Sequence, residues 1–186
     1  MLNAKASAPV RLEEQSASLT LVDLAKIVIS AVIIALAVNA FMRPTTVKGI
    51  SMWPTLNPGD FVFTSTLVYK TQMPETGDII VLHSDLPEDV IIKRVIASEG
   101  DTLKISADGI YVNGVLLVED YINKEEPASV IGNRELVIPE GKVFVMGDNR
   151  NHSMDSRAKQ VGLIDRSQII GKAIFRLFPP GKMGPL

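Results

Sequence analysis

The chain has 186 residues, with 19 Lys plus Arg against 21 Asp plus Glu and a net charge of −2. That near balance argues against nucleic-acid binding, which calls for a basic face. Cysteine is absent, excluding disulfides, thiolate metal sites and a thiol nucleophile. With His83 and His152 as the whole histidine complement, no metal centre and no cofactor is expected.

Residues 1–18 are small and polar and read as a disordered tail. Ile27 to Met42 (IVISAVIIALAVNAFM) then carries no charge. Taken from Leu19, the apolar stretch has 24 residues and spans roughly 36 Å as a helix, enough for a bilayer core of about 30 Å. Asp23 and Lys26 fall at its start, so that end lies near an interface. The reading is one transmembrane helix over 19–42. Its rival is a cleavable signal peptide, with Val38-Asn39-Ala40 as the processing site. The leader of about 26 residues is long for such a peptide. Lys5, Arg11 and Lys26 before the run, against Arg43 and Lys48 after it, favour a cytoplasmic amino terminus.

Beyond Arg43 the pattern changes to short β-branched runs separated by turn residues. Candidate strands are 61–63, 78–82, 90–96, 102–105, 110–112, 115–118 and 142–146. Asn57-Pro58-Gly59-Asp60, Asp108-Gly109 and Asn113-Gly114 supply turns. Residues 102–118 should form a small meander. No helical periodicity follows the apolar segment, apart from a turn near Arg166–Ile169. The fold class is mostly β.

Three segments carry chemistry. In Gly49-Ile50-Ser51-Met52-Trp53-Pro54-Thr55-Leu56 small residues let a chain approach the Ser51 hydroxyl. Taken alone, that serine reads as a turn hydroxyl. In Val90-Ile91-Ile92-Lys93-Arg94-Val95-Ile96 two cations interrupt an aliphatic strand. Alternation puts Lys93 on the face of Ile91 and Val95. Desolvation there disfavours the ammonium and lowers its pKa, and a neutral amine is a competent base. Alone, Lys93 reads sooner as a guard against edge pairing than as a base. The third segment, Met146 to Arg157, packs Asp148, Arg150, Asp155 and Arg157 into a glycine-led loop, a density that points to buried carboxylate–guanidinium pairs.

In this order and spacing, the three segments resemble the boxes of the type I signal peptidases (leader peptidases), from the apolar helix to about Phe178. The resemblance implies a membrane-anchored serine endopeptidase, with Ser51 as nucleophile and Lys93 as general base. Ser153 matches the family's serine that orients the lysine amine. Asp155 and Arg157 match its salt-bridged pair, and Asp148 would pair with Arg94 behind the lysine. The implied fold is an antiparallel β-sheet catalytic body over 43–98 and 141–178. A small β insertion over 99–140 and a carboxyl-terminal tail over 179–186 complete it. Gly49 departs from long-form members, which carry a serine there that helps stabilise the oxyanion. The Ser51 backbone N–H is left as the donor. A Ser51–His152–Asp155 triad is the alternative, but it leaves the lysine box without a role.

The substrate implied is the signal peptide of exported preproteins, bound extended and cut after small residues at −1 and −3. Val47, Leu56 and Ile92 are expected to line shallow pockets for them. Membrane lipid and the protein translocation channel are the other partners expected, with the catalytic body on the outer side. Rival readings are a self-cleaving Ser-Lys repressor-like peptidase, for which the DNA-binding domain is missing, and a membrane-tethered β binding module.

Overall fold

The computed structural model describes residues 20–84, 89–122 and 134–186, without the side chains of 37–40. The tail expected over 1–18 lies outside the described residues. Two units are present, Met1–Ala37 and Val38–Leu186.

In the first unit, helix α1 (Leu21–Phe41) starts at a reciprocal cap. Asp23 N–H donates to Thr20 Oγ1 at 3.2 Å, and Thr20 N–H donates to Asp23 Oδ2 at 3.3 Å. Its described surface is apolar on all sides: Leu24, Ile27, Val28, Ile33 and Leu36 are each more than half exposed. Among the described residues no helix is long and apolar enough to cross a membrane.

The second unit is built on an eight-stranded antiparallel sheet. Its strands are β1 (Met42–Thr46), β2 (Phe61–Ser65), β3 (Ile79–His83), β4 (Val90–Ala97), β9 (Lys142–Met146), β10 (Ile164–Asp165), β11 (Ile169–Phe178) and β12 (Gly184–Pro185). They run in the order β1-β2-β11-β3-β4-β9-β10, with β12 beside β11. A second sheet, β7-β6-β5-β8, is formed by β5 (Thr102–Ser106), β6 (Gly109–Val112), β7 (Val115–Leu116) and β8 (Arg134–Val137). It falls within the residues read as an insertion, and β5, β6 and β7 pair in succession as the expected meander. Asn113 and Gly114, both at positive φ (52° and 80°), make the tight turn between β6 and β7.

Four differences from the sequence reading have physical causes. The strand expected over 115–118 stops at Leu116, and Val118 is 79% exposed. The longest strand, β11, was not expected, because Gly171, Lys172 and Arg176 break its apolar pattern. The fold supplies what each of them needs. Lys172 pairs with Asp78, Arg176 NH1 lies 3.3 Å from Asp60 Oδ2, and Gly171 meets the Ser65 carbonyl where no Cβ would fit. A one-turn helix α2 (Val68–Thr71) interrupts the β body, anchored by the buried Tyr69. The segment read as a tail is docked: β12 pairs with β11, and Leu186 packs against the core cluster that includes Val62 and Ala173.

Strand β4 places the lysine box inside the large sheet. It lies between β3 and β9, with Lys93 opposite Ile80 and Arg94 opposite Ile79 on one side and Met146 on the other. Ile80 and Val95 are fully buried, so the strand carries its cations through the interior of the protein.

Candidate active site

The serine segment is a loop of tight turns between β1 and β2, closed at its base by backbone bonds. Val47 N–H donates to the Asp60 carbonyl at 2.9 Å, and Gly59 N–H donates to the Val47 carbonyl at 2.8 Å. Met52 and Leu56, both buried, fasten its middle, and Leu56 N–H donates to the Met52 carbonyl at 2.8 Å. Arg176 NH2 donates to the Thr55 carbonyl at 2.7 Å, tying the loop to β11. Ser51 is left half-buried at the turn.

Lys93, only 3% exposed, reaches this serine: its Nζ donates to Ser51 Oγ at 2.7 Å and to the Ile92 carbonyl at 3.2 Å. Strand β4 thus brings an amine to a hydroxyl 42 positions earlier in the chain. Hydrogen-bond contact between nucleophile and base is the first requirement for activating a hydroxyl.

The loop after β9 closes the site from the other side. Asn149 N–H donates to the Ser51 carbonyl at 2.9 Å, and Asn149 Nδ2 donates to the Ile50 carbonyl at 3.1 Å. Gly147 runs against Ser51 and Ser153. A Cβ there would stand 2.6 Å from Ser153 Cβ, and closer still to Ser153 Oγ and the Ser51 carbonyl oxygen. Ser153 Oγ is buried and, among the described residues, makes no hydrogen bond. The bond to the lysine amine that the resemblance implies is therefore not formed in this structure.

Both expected ion pairs are present. Arg94 Nε donates to Asp148 Oδ1 at 2.9 Å and NH2 donates to Oδ2 at 2.7 Å, while Asp148 is fully buried. Thr55 Oγ1 donates to the same carboxylate at 2.5 Å, joining the serine loop to the lysine strand. Arg157 binds Asp155 through Nε at 2.8 Å and NH2 at 2.9 Å. Asp155 Oδ2 also accepts the Gly147 N–H at 3.0 Å, so this pair holds the glycine in place. With its carboxylate so occupied, Asp155 is not set to orient a histidine. His152 Nδ1 instead lies 3.2 Å from Asn149 Oδ1.

The other expected site residues are placed differently. Val47, Leu56 and Ile92 lie together in one buried cluster with Met52 and Val62. Leu56 is 0% exposed and backs the loop, and Val47 (4%) and Ile92 (8%) show only small areas. Around Gly49 the space is open, with nothing within 4 Å of a Cβ built there. Among the described residues, the Ser51 N–H makes no intramolecular hydrogen bond.

The sequence reading missed a second anchor on the third box. Arg150 NH1 donates to Glu119 Oε2 at 3.0 Å, and NH2 pairs with Glu119 Oε1. Burial works against the Arg150 guanidinium, but its bonds to Glu119 outweigh that and raise its pKa. Tyr121 covers the face of Arg94, whose Cζ is 3.9 Å from the ring centroid. The acidic and aromatic residues in Val118-Glu119-Asp120-Tyr121 were the available signal.

These features agree with what the chain resembles. The family model described as "Signal peptidase, peptidase S26" matches residues 21–178. "Signal peptidase I" of Bacillus licheniformis is 37% identical over 168 residues, covering 86% of this chain and 90% of that one. "Signal peptidase IB" of Staphylococcus aureus is 38% identical over 168 residues, covering 82% and 86%. A solved signal peptidase I from Enterococcus faecalis is 32% identical, with a TM-score of 0.46, covering 54% of this chain and 97% of that one. A match from α1 to the end of β11, with more than a third of positions shared with curated signal peptidases, places the chain in the signal peptidase family, peptidase S26, as a hydrolase.

Proposed function

We propose that this chain is a membrane-anchored serine endopeptidase with a Ser51–Lys93 dyad that removes signal peptides from exported preproteins. One observation carries the reading: the buried Lys93 amine lies 2.7 Å from the hydroxyl of the half-buried Ser51. Neutral Lys93 takes the Ser51 proton as Oγ attacks the scissile carbonyl, and the tetrahedral oxyanion is met by the Ser51 N–H. The amine returns its proton to the leaving amino group. It then deprotonates the water that hydrolyses the acyl-enzyme.

The substrate binds extended and pairs through its backbone. Its −1 and −3 side chains meet the apolar surface of Val47 and Ile92, backed by Leu56. The small exposed areas of these residues support shallow pockets that take small side chains. Ser153, whose hydroxyl is buried against Gly147, is assigned to orienting the amine once substrate shifts the site, since that hydroxyl has no competing partner among the described residues.

The anchor is the segment 19–42. Its support is the apolar surface of α1, which water would not tolerate and lipid would cover. The catalytic body (43–98 and 141–178) with its insertion (99–140) then lies on the outer side, near lipid and the translocation channel. The mature protein keeps residues 1–42, so mass spectrometry of the membrane-bound enzyme should find the full chain. An amino terminus at Phe41 would mean a removed signal peptide.

Cleavage of one preprotein by the purified full-length enzyme tests the activity. Changing the −1 residue from Ala to Leu or Phe should nearly stop it, while +1 changes other than proline should matter little. Efficient cutting after large or charged residues would overturn the specificity.

A further inference from the structure

We propose that Tyr121 and Glu119, in the insertion, are positioning residues for the Ser51–Lys93 dyad, an assignment that rests on that dyad being the catalytic pair. Arg94 follows Lys93 directly, and its three guanidinium nitrogens are all engaged. Nε and NH2 hold Asp148, and NH1 donates to the Gly77 carbonyl at 2.8 Å. With its edges taken, only its faces remain, and the Tyr121 ring covers one of them. A guanidinium held at both edges and one face cannot rotate, and the strand residue beside it shares that restraint.

Tyr121 is itself held. Its hydroxyl donates to Glu119 Oε1 at 3.0 Å, and Glu119 grips Arg150 with both oxygens. Burial, then the Glu119 charge, pushes the Tyr121 phenol well above its ordinary pKa, so it remains a neutral donor. From Arg150 the network reaches the other half of the site. Arg150 Nε donates to the Gly147 carbonyl at 3.1 Å, and the Arg150 carbonyl accepts Arg157 NH2 at 2.6 Å. Gly147 abuts Ser51 and Ser153. Two neighbouring side chains of the insertion therefore brace the residue after the base and the loop beside the nucleophile. Their partners are the residue after the base and the loop beside the nucleophile, so their effect is on the relative placement of the two groups. An ångström-scale error in that placement can cost on the order of a hundredfold in rate.

The test uses the full-length enzyme in detergent with a preprotein substrate, at a temperature where each variant is folded by circular dichroism. Tyr121→Leu should lower kcat about tenfold and leave KM within about twofold, because geometry is lost rather than substrate contact. Tyr121→Phe keeps the ring face over Arg94 and should recover most of that kcat. Glu119→Gln keeps the size, weakens the grip on Arg150, and should also lower kcat at constant KM. Wild-type kcat in folded Tyr121→Leu, a loss confined to KM, or no recovery in Tyr121→Phe would each overturn the assignment. Should Tyr121→Leu not fold, Glu119→Gln decides alone, and an unchanged kcat there overturns it. Lys93→Ala run in parallel separates the two readings. Turnover retained in that variant removes the dyad and this assignment together. Turnover lost there with Tyr121→Leu unaffected removes only this assignment.

Discussion

Arg94 and Asp148, 54 positions apart in the chain, meet in a two-point ion pair, Nε to Oδ1 and NH2 to Oδ2. The sheet makes the pair possible: Arg94 stands opposite Met146 in the register of β4 and β9, and Asp148 follows two residues later. The carboxylate is 0% and the guanidinium side chain 11% exposed, so neither charge can turn to water if its partner is removed. Asp148→Ala should therefore destabilise the protein by about 3–5 kcal/mol, the range for a buried pair broken on one side. Urea unfolding followed by the fluorescence of Trp53, the single tryptophan, measures it. A loss below about 1 kcal/mol would mean the pair behaves as a surface ion pair.

Ser51→Ala and Lys93→Ala should each abolish preprotein cleavage. The double variant should be little worse than either, because a nucleophile and its base act as a unit. His152→Ala should retain most activity, since its Nδ1 faces Asn149 and Asp155 is committed to Arg157 and Gly147. Turnover that survives loss of Lys93 but not of His152 would replace the dyad with a triad.

Which of these features could be read from the sequence depended on whether the signal was local. The serine loop, the lysine strand and the Gly147–Arg157 loop each concentrate unusual residues in a few positions. The charge density of the last loop pointed to buried ion pairs, but which residues pair came from the family resemblance, since Arg94 and Asp148 stand 54 positions apart. Strand β11 was invisible because Lys172, Arg176 and Gly171 look like interruptions until Asp78, Asp60 and the Ser65 carbonyl are placed against them. Glu119 and Tyr121 were missed for the same reason. Their partners Arg150 and Arg94 are 31 and 27 positions away, a distance no local pattern crosses. The pocket residues were placed by nearness to the dyad alone, which does not separate a lining residue from the fully buried Leu56 behind it.

Gly147 is required by space, since its φ is not positive and any residue could adopt its backbone. The Cβ of Gly147→Ala would collide with the Ser51 carbonyl and with Ser153, and the backbone carbonyl cannot swing away as a long side chain would. The expected cost is about 1–3 kcal/mol in stability. The rate should suffer more, on the order of a hundredfold, because the displaced group belongs to the serine proposed as nucleophile. Comparing kcat with the unfolding midpoint separates the two effects. Wild-type kcat in the folded variant would show that the serine loop can yield without disturbing the dyad.

Catalysis should require Lys93 without its proton, and this gives a pH dependence with a definite sign. A lysine in water titrates near about 10.4 and is almost wholly charged at neutral pH. At 3% exposure Lys93 has little water to stabilise an ammonium, and desolvation of that kind is expected to favour the neutral amine. On that expectation kcat/KM should fall on the acid side as the amine protonates. The same desolvation acts on stability. The unfolded chain binds the proton more tightly, so Lys93 should destabilise the fold as pH falls below about 10.4, and that penalty should level off once the folded amine is also charged. Lys93→Met should remove this pH-dependent part of stability while abolishing activity. Lys93→Arg should be inactive as well, because a guanidinium keeps its proton. A kcat/KM profile for the wild type beside the Lys93→Arg variant decides the matter. An active arginine variant would mean that position 93 supplies only charge and that another group takes the serine proton.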